Sequence, residues 1–117
     1  MTHRLTLPLA LALALSAGAA SAADDAKTFQ LQCKTCHGAK SSPAGPSLAG
    51  VAGRKIAGLT DFTYSAGLKA KSGTWTDANL DGYLAGPMKF APGTRMATGV
   101  ANPADRAAVV AYLKTLK

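Results

Sequence analysis

The stretch LQCKTCHGAK, residues 31–40, holds both cysteines of the chain, Cys33 and Cys36, with His37 directly after the second. Three chemistries use such residues: thiol–disulfide exchange, half of a metal site, and covalent attachment of a haem. A thioredoxin-type dithiol sits within a βαβ pattern. Here the upstream stretch from Asp24 to Leu31 reads as a short helix, and no strong strand pattern follows it. A zinc site needs a fourth ligand and usually a second ligand pair, yet the other histidine is His3, near the first residue. Haem attachment uses every residue of the motif. Two thiols three positions apart lie on one side of a helical turn, where each can add to a vinyl group of one porphyrin, and His37 follows to bind the iron. The spacing predicts one covalent haem c, attached through Cys33 and Cys36.

What occupies the far side of the iron decides the function. With His37 alone, an open face would bind small ligands or support peroxide chemistry. With both faces filled, the iron is suited to passing single electrons, and methionine opposite histidine raises the potential. Met88 and Met96 are the candidates, and either could instead fill a gap in the core. Spacing favours Met96, because the turn-forming run Pro92-Gly93-Thr94-Arg95 is better able to cross the far face of a ring.

These residues need a compartment and a fold. The chain has 117 residues and opens with a single fixed positive charge, Arg4; an apolar run from Leu5 to Leu15 follows, and small residues lead to Ala20-Ser21-Ala22. Such a pattern is a secretory signal peptide, expected to be cleaved after Ala22. The apolar run is shorter than the roughly 20 residues of a bilayer span. The expected division is therefore a signal peptide at 1–22 and one domain at 23–117, located in the periplasm and not inserted in the membrane. Removing 22 residues of 117 leaves 95, a size at which one core is marginal without a staple. Three Phe, three Tyr and one Trp are available to it, so a bound group in the middle would complete the packing.

Thirteen Lys and Arg fall to twelve with the loss of Arg4, against six acids, a mature charge of +6. The basic residues are scattered, with no basic run and no aromatic interleaving, which argues against nucleic acid as a partner. Lys34, Lys40, Lys89 and Arg95 fall near the expected open haem edge and could steer docking onto acidic redox partners.

The elements follow from caps and breakers. A first helix is expected from about Asp24 to Cys33, then a glycine- and proline-rich loop over 38–60. A short helix is expected around Ser65–Lys71, although Gly67 weakens it. Thr76 caps a helix running to about Ala85, where Gly86-Pro87 stops it. Residues 86–101 form the methionine loop. Asn102 and Pro103 start the last helix, expected to run to about Leu116, with Val109, Tyr112, Leu113 and Leu116 at helical spacing.

From about Asp24 to the C-terminus the chain resembles the class I soluble c-type cytochromes, the small cytochromes of mitochondria and bacteria. The stretches that carry the resemblance are CKTCHG, GPSLAGVAGRK, FTYSAGLKAKSGTWT, LDGYLAGPMKFAPGTRM and DRAAVVAYLK, in that order. The resemblance implies an all-α fold, with three main helices, a short helix and loops wrapped around one covalently bound haem. It makes His37 and Met96 the axial ligands and leaves Met88 at the surface. It implies that the Pro46 carbonyl accepts a bond from the outer nitrogen of His37, that Arg54, Tyr64 and Trp75 hold the inner propionate, and that Tyr83 and Thr94 bond around the methionine sulfur and the second propionate. In one place the chain departs from the pattern: Leu68 stands where many relatives carry Asn, so a water network built on that Asn is not expected.

The function expected is that of a monomeric periplasmic electron carrier, not an enzyme, acting between redox protein donors and acceptors. Two alternatives differ in observable ways. A haem subunit of a larger periplasmic oxidoreductase would co-purify with a catalytic chain. A ligand-binding or peroxidatic haem protein would leave Met96 unbound and take up carbon monoxide rapidly when reduced.

Overall fold

The computed structural model describes residues 21–117, so the expected signal peptide lies outside the described residues apart from Ser21 and Ala22. Five helices follow in order: α1 (Ala22–Gln32), α2 (Ala66–Lys69), α3 (Asp77–Ala85), α4 (Pro87–Phe90) and α5 (Pro103–Leu113). Among the described residues there is no strand, only the isolated bridges Ser42 to Gly45 and Lys55 to Thr74.

Side-chain caps set the helix starts. The Thr76 hydroxyl accepts from the Asn79 amide at 3.1 Å. Asn102 Oδ1 accepts from the amides of Ala104 and Asp105 at 2.8 and 3.1 Å, with Pro103 preset for the first helical position. Each such cap is worth about 1 kcal/mol, because it satisfies donors that the first turn cannot. The short helix begins in the same way, with the Ser65 hydroxyl accepting from the Leu68 amide.

Helices α1 and α2 differ from the sequence-based expectation by one or two residues at their ends, and two later boundaries differ more. The 86–101 segment is not loop throughout: Gly86-Pro87 ends α3 and at once begins α4, since a proline that stops one helix is preorganised for the first turn of another. The last helix ends at Leu113 rather than Leu116. Thr115 turns its hydroxyl onto the Tyr112 carbonyl at 2.6 Å, and the Leu116 carbonyl accepts from the Gly50 amide at 3.1 Å. The chain end thus leaves the helix to tie down the 48–51 loop.

Helices α1 and α5 pack together, with Phe29 and Tyr112 ring centroids 4.7 Å apart and Gln32 donating to Asp105. Phe29, Val109 and Leu113 are buried there, each worth about 1.5–3 kcal/mol when fully removed from water. A second cluster joins Trp75, just before α3, to Tyr83 of α3 and Phe90 of α4, at centroid distances of 5.3 to 6.0 Å. Between the clusters lies a cavity of about 310 Å³.

Candidate functional site

The turn after α1 brings the thiols and the imidazole together. The amides of Cys36 and His37 both donate to the Cys33 carbonyl, at 3.2 and 3.1 Å, so one tight turn carries all three side chains to the cavity wall. Burial pushes the Cys33 thiol up from 9.0 to about 11. A thiol–disulfide exchange site needs the opposite shift, toward thiolate. Nor does a zinc reading find its ligands: among the described residues no group of three or more His, Cys, Asp or Glu could hold a metal ion.

His37 Nδ1 stands 2.9 Å from the Pro46 carbonyl oxygen. A carbonyl only accepts, so Nδ1 carries the proton and the lone pair is on Nε2, the tautomer suited to a metal. The close approach depends on Gly45. A Cβ at that position would lie 2.8 Å from the Cys36 carbonyl oxygen and 3.1 Å from His37 Nδ1 and Cε1.

The next wall is built by pairing between 53–56 and 73–75. The Trp75 amide donates to the Arg54 carbonyl and the Gly53 amide to the Trp75 carbonyl, both at 2.8 Å, which places Arg54 and Trp75 side by side. Arg54 donates from its two terminal nitrogens to the carbonyls of Ala49 and Ser47. Tyr64 accepts at its oxygen from the Leu59 amide at 3.3 Å, leaving its own O–H to be given elsewhere. Tyr83 and Thr94 hydroxyls lie 2.6 Å apart, and burial raises the Tyr83 phenol above its ordinary value, the bond to Thr94 opposing part of that shift. Met96 is half-buried at the same cavity, whereas Met88, on α4, is 50% exposed and does not line it. All ten expected site residues line this one cavity: Cys33, Cys36, His37, Pro46, Arg54, Tyr64, Trp75, Tyr83, Thr94 and Met96.

A sequence profile of the family described as cytochrome c matches residues 22–117. The chain belongs to the cytochrome c family. Cytochrome c2 iso-1 of Magnetospirillum molischianum is 46% identical over 91 residues, 74% of this chain and 91% of its own length. Cytochrome c2 iso-2 of Magnetospirillum fulvum is 50% identical over 88 residues, 72% of this chain and 91% of its own. Among solved structures, cytochrome cH from Methylobacterium extorquens superposes with a TM-score of 0.72 at 39% identity, over 84% of this chain and 99% of that one. With membership of the cytochrome c family come one covalent haem c and electron transfer rather than enzymatic turnover; Cys33 and Cys36 supply the attachment pair.

The residues present fit such a group. The wall is mostly apolar, as a porphyrin face requires, and Arg54 Nε is buried with no hydrogen-bond partner among the described residues. An unpaired buried guanidinium donor is costly. A haem carboxylate is the acceptor that would relieve it.

Several contributors were not legible from the motif. Leu68, the departure noted above, is buried in the cavity wall. Gly67 reads as a weak point in a helix, but a Cβ there would collide with the Pro92 carbonyl oxygen, so its lack of a side chain lets the methionine loop close. Arg95, expected as a docking cation, is exposed, and its guanidinium also donates to the Thr63 carbonyl and lies 4.9 Å from the Phe62 ring centroid, neutral partners that leave its charge in place. Both contacts are long-range in sequence, which no local pattern encodes.

Proposed function

We propose that this cytochrome is a periplasmic electron carrier whose iron is held between His37 Nε2 and the Met96 sulfur. The observation that carries the reading is the His37 to Pro46 bond beside a cavity that Met96 lines and Met88 does not. When bound, the haem supplies reversible one-electron chemistry, and a histidine–methionine pair favours the reduced form more than a second imidazole does.

The chain's own residues hold, orient and exclude water. The Pro46 carbonyl fixes the His37 ring and raises its donor strength. Arg54, Tyr64 and Trp75 offer donors and a positive charge to a propionate, and Tyr83 with Thr94 offers a buried hydroxyl pair on the methionine side. The packed Trp75, Tyr83 and Phe90 rings, the first and last stacked and Tyr83 tilted against both, keep solvent from that wall. A site with both axial positions filled and tightly packed walls changes little on gaining an electron, the requirement for a carrier.

Residues 1–22 act as a cleaved leader, and the partners are redox proteins with acidic docking faces. Among the described residues no helix is long and apolar enough to cross a membrane. Lys34, Lys40 and Lys89 are exposed and make no ion pair among the described residues. With Arg95, which is also exposed and whose partners are neutral groups, they are the steering charges.

The test is production of the full chain in a bacterial host with working haem maturation, followed by N-terminal sequencing and intact mass of the periplasmic product. The expected protein begins at Ala23, weighs one haem more than its polypeptide, runs as a monomer and does not bind carbon monoxide when reduced. Rapid carbon monoxide binding, or retention of residues 1–22, contradicts the reading.

A further inference from the structure

Pro46 and Ser47 share one peptide group, and both of its polar ends are bonded. The carbonyl oxygen, on Pro46, lies 2.9 Å from His37 Nδ1. The N–H, on Ser47, donates to the Ser41 hydroxyl at 2.9 Å, and that hydroxyl donates in turn to Asp61 Oδ1, also at 2.9 Å. A tight turn makes the approach possible. Ser42 and Gly45 exchange both backbone bonds, at 2.9 and 3.1 Å, with Pro43 at the second position, where its fixed φ suits the turn. Ser41 and the Pro46–Ser47 peptide are thereby brought face to face. Ser41 is half-buried and Asp61 is exposed; neither lines the cavity.

Every donor along this path points toward the carboxylate: His37 N–H to the Pro46 oxygen, Ser47 N–H to the Ser41 oxygen, Ser41 O–H to Asp61. Hydrogen bonds in such a head-to-tail order polarise one another. The carboxylate draws on the Ser41 proton, which makes Ser41 Oγ a better acceptor. Its hold on the Ser47 N–H shifts electron density through the conjugated amide onto the Pro46 oxygen. That oxygen draws more strongly on the Nδ1 proton, and the Nε2 lone pair becomes a stronger donor.

We infer that Ser41 and Asp61 are positioning residues for His37, joined to it by this hydrogen-bonded path, and that they lower the reduction potential by strengthening Nε2 as a donor to ferric iron. This rests on His37 as an axial ligand. It extends control of that ligand beyond the Pro46 carbonyl to a carboxylate at the surface, 20 positions from Ser41 in sequence. An exposed charge acting through solvent alone is screened; the bonded path carries its influence inward.

The experiment measures the midpoint potential of the holoprotein by redox titration and the His37 Nδ1 proton of the reduced form by NMR. Ser41→Ala breaks two links and keeps the Asp61 charge, whereas Ser41→Thr keeps the hydroxyl. Asp61→Asn removes the charge, and the same substitution added to Ser41→Ala measures what that charge does through space alone. Ser41→Ala is expected to raise the ferrous-to-ferric ratio at a fixed potential about threefold, a shift of ~28 mV at ~59 mV per tenfold for one electron. Its Nδ1 proton resonance should move upfield, as a weakened hydrogen bond requires, and Ser41→Thr should match wild type in both readouts. Asp61→Asn should shift the potential in the same direction, and by more on the wild type than on Ser41→Ala. An unchanged potential or an unmoved Nδ1 proton in Ser41→Ala overturns the inference, even if the variant is less stable to denaturant. Equal effects of Asp61→Asn on the two backgrounds overturn it as well. A reduced wild type whose His37 ring protons lack the displacement caused by the porphyrin ring current overturns His37 as the ligand itself, so the two failures are distinguishable.

Discussion

His37 and Pro46, nine positions apart, meet with the imidazole Nδ1 2.9 Å from the proline carbonyl oxygen, and the glycine before the proline has no room for a side chain. Gly45→Ala places a methyl group against the His37 ring and the Cys36 carbonyl. The expected result is a protein that still carries its haem but is less stable by about 1–3 kcal/mol, the usual cost of overpacking. Guanidinium unfolding monitored in the haem band measures it. Stability equal to wild type would mean that the turn tolerates the added volume.

Thr94 is 5% exposed and its hydroxyl is paired with Tyr83 at 2.6 Å. Thr94→Val keeps the shape and leaves the Tyr83 hydroxyl without its partner, at a cost of about 1–3 kcal/mol. The same denaturation assay should show the loss, and the reduction potential should move as well, because the hydroxyl pair lines the cavity that Met96 shares.

Burial holds the Tyr83 phenol above its ordinary value of 10.0. The fold accepts the neutral form, while in the unfolded chain the phenol ionises at its ordinary value. This contribution to stability is complete below pH 10 and is lost as pH rises from there through the folded value, since above pH 10 the unfolded state has released a proton that the folded state still holds. Unfolding midpoints of wild type and Tyr83→Phe, compared between pH 8 and pH 11, isolate the effect: wild type should lose more stability over that range than the variant.

Lys34, Lys40 and Lys89 stand free at the surface, and Arg95 is exposed beside its neutral partners. Electron transfer to an acidic redox partner should slow as ionic strength rises from about 0.01 to 0.15 M, as the Debye length shrinks from about 30 to 8 Å. Replacing the three lysines with glutamine should flatten that dependence. A stopped-flow rate indifferent to salt in the wild type would remove the steering role.

Much of the site was legible because its chemistry is local. Cys33, Cys36 and His37 are read together since one turn must present all three, and Thr76 and Asn102 are read as caps since a side-chain oxygen answers donors two or three residues away. The proline at 87 was ambiguous: the same residue ends one helix and begins the next, and only packing against α3 selects both. Contacts that span the chain were not legible at all. Arg95 finds Thr63 32 positions away, so its charge pointed to the surface while its geometry ties a loop. Gly67 looks like a defect in a helix because the Pro92 backbone that needs its space is also far away in sequence. The roles of Arg54, Tyr64 and Pro46 came from resemblance, and the fold adds the orphaned Arg54 Nε that an acceptor in the cavity would satisfy.

The most direct test of the ligand assignment is the absorption spectrum of the ferric holoprotein, recorded for wild type, Met96→Leu and Met88→Leu. A histidine–methionine centre built on His37 and Met96 predicts the weak sulfur-to-iron band in the wild type and in Met88→Leu, its disappearance in Met96→Leu, and carbon monoxide binding only by reduced Met96→Leu. A band that survives in Met96→Leu, or is missing from the wild type, would contradict it.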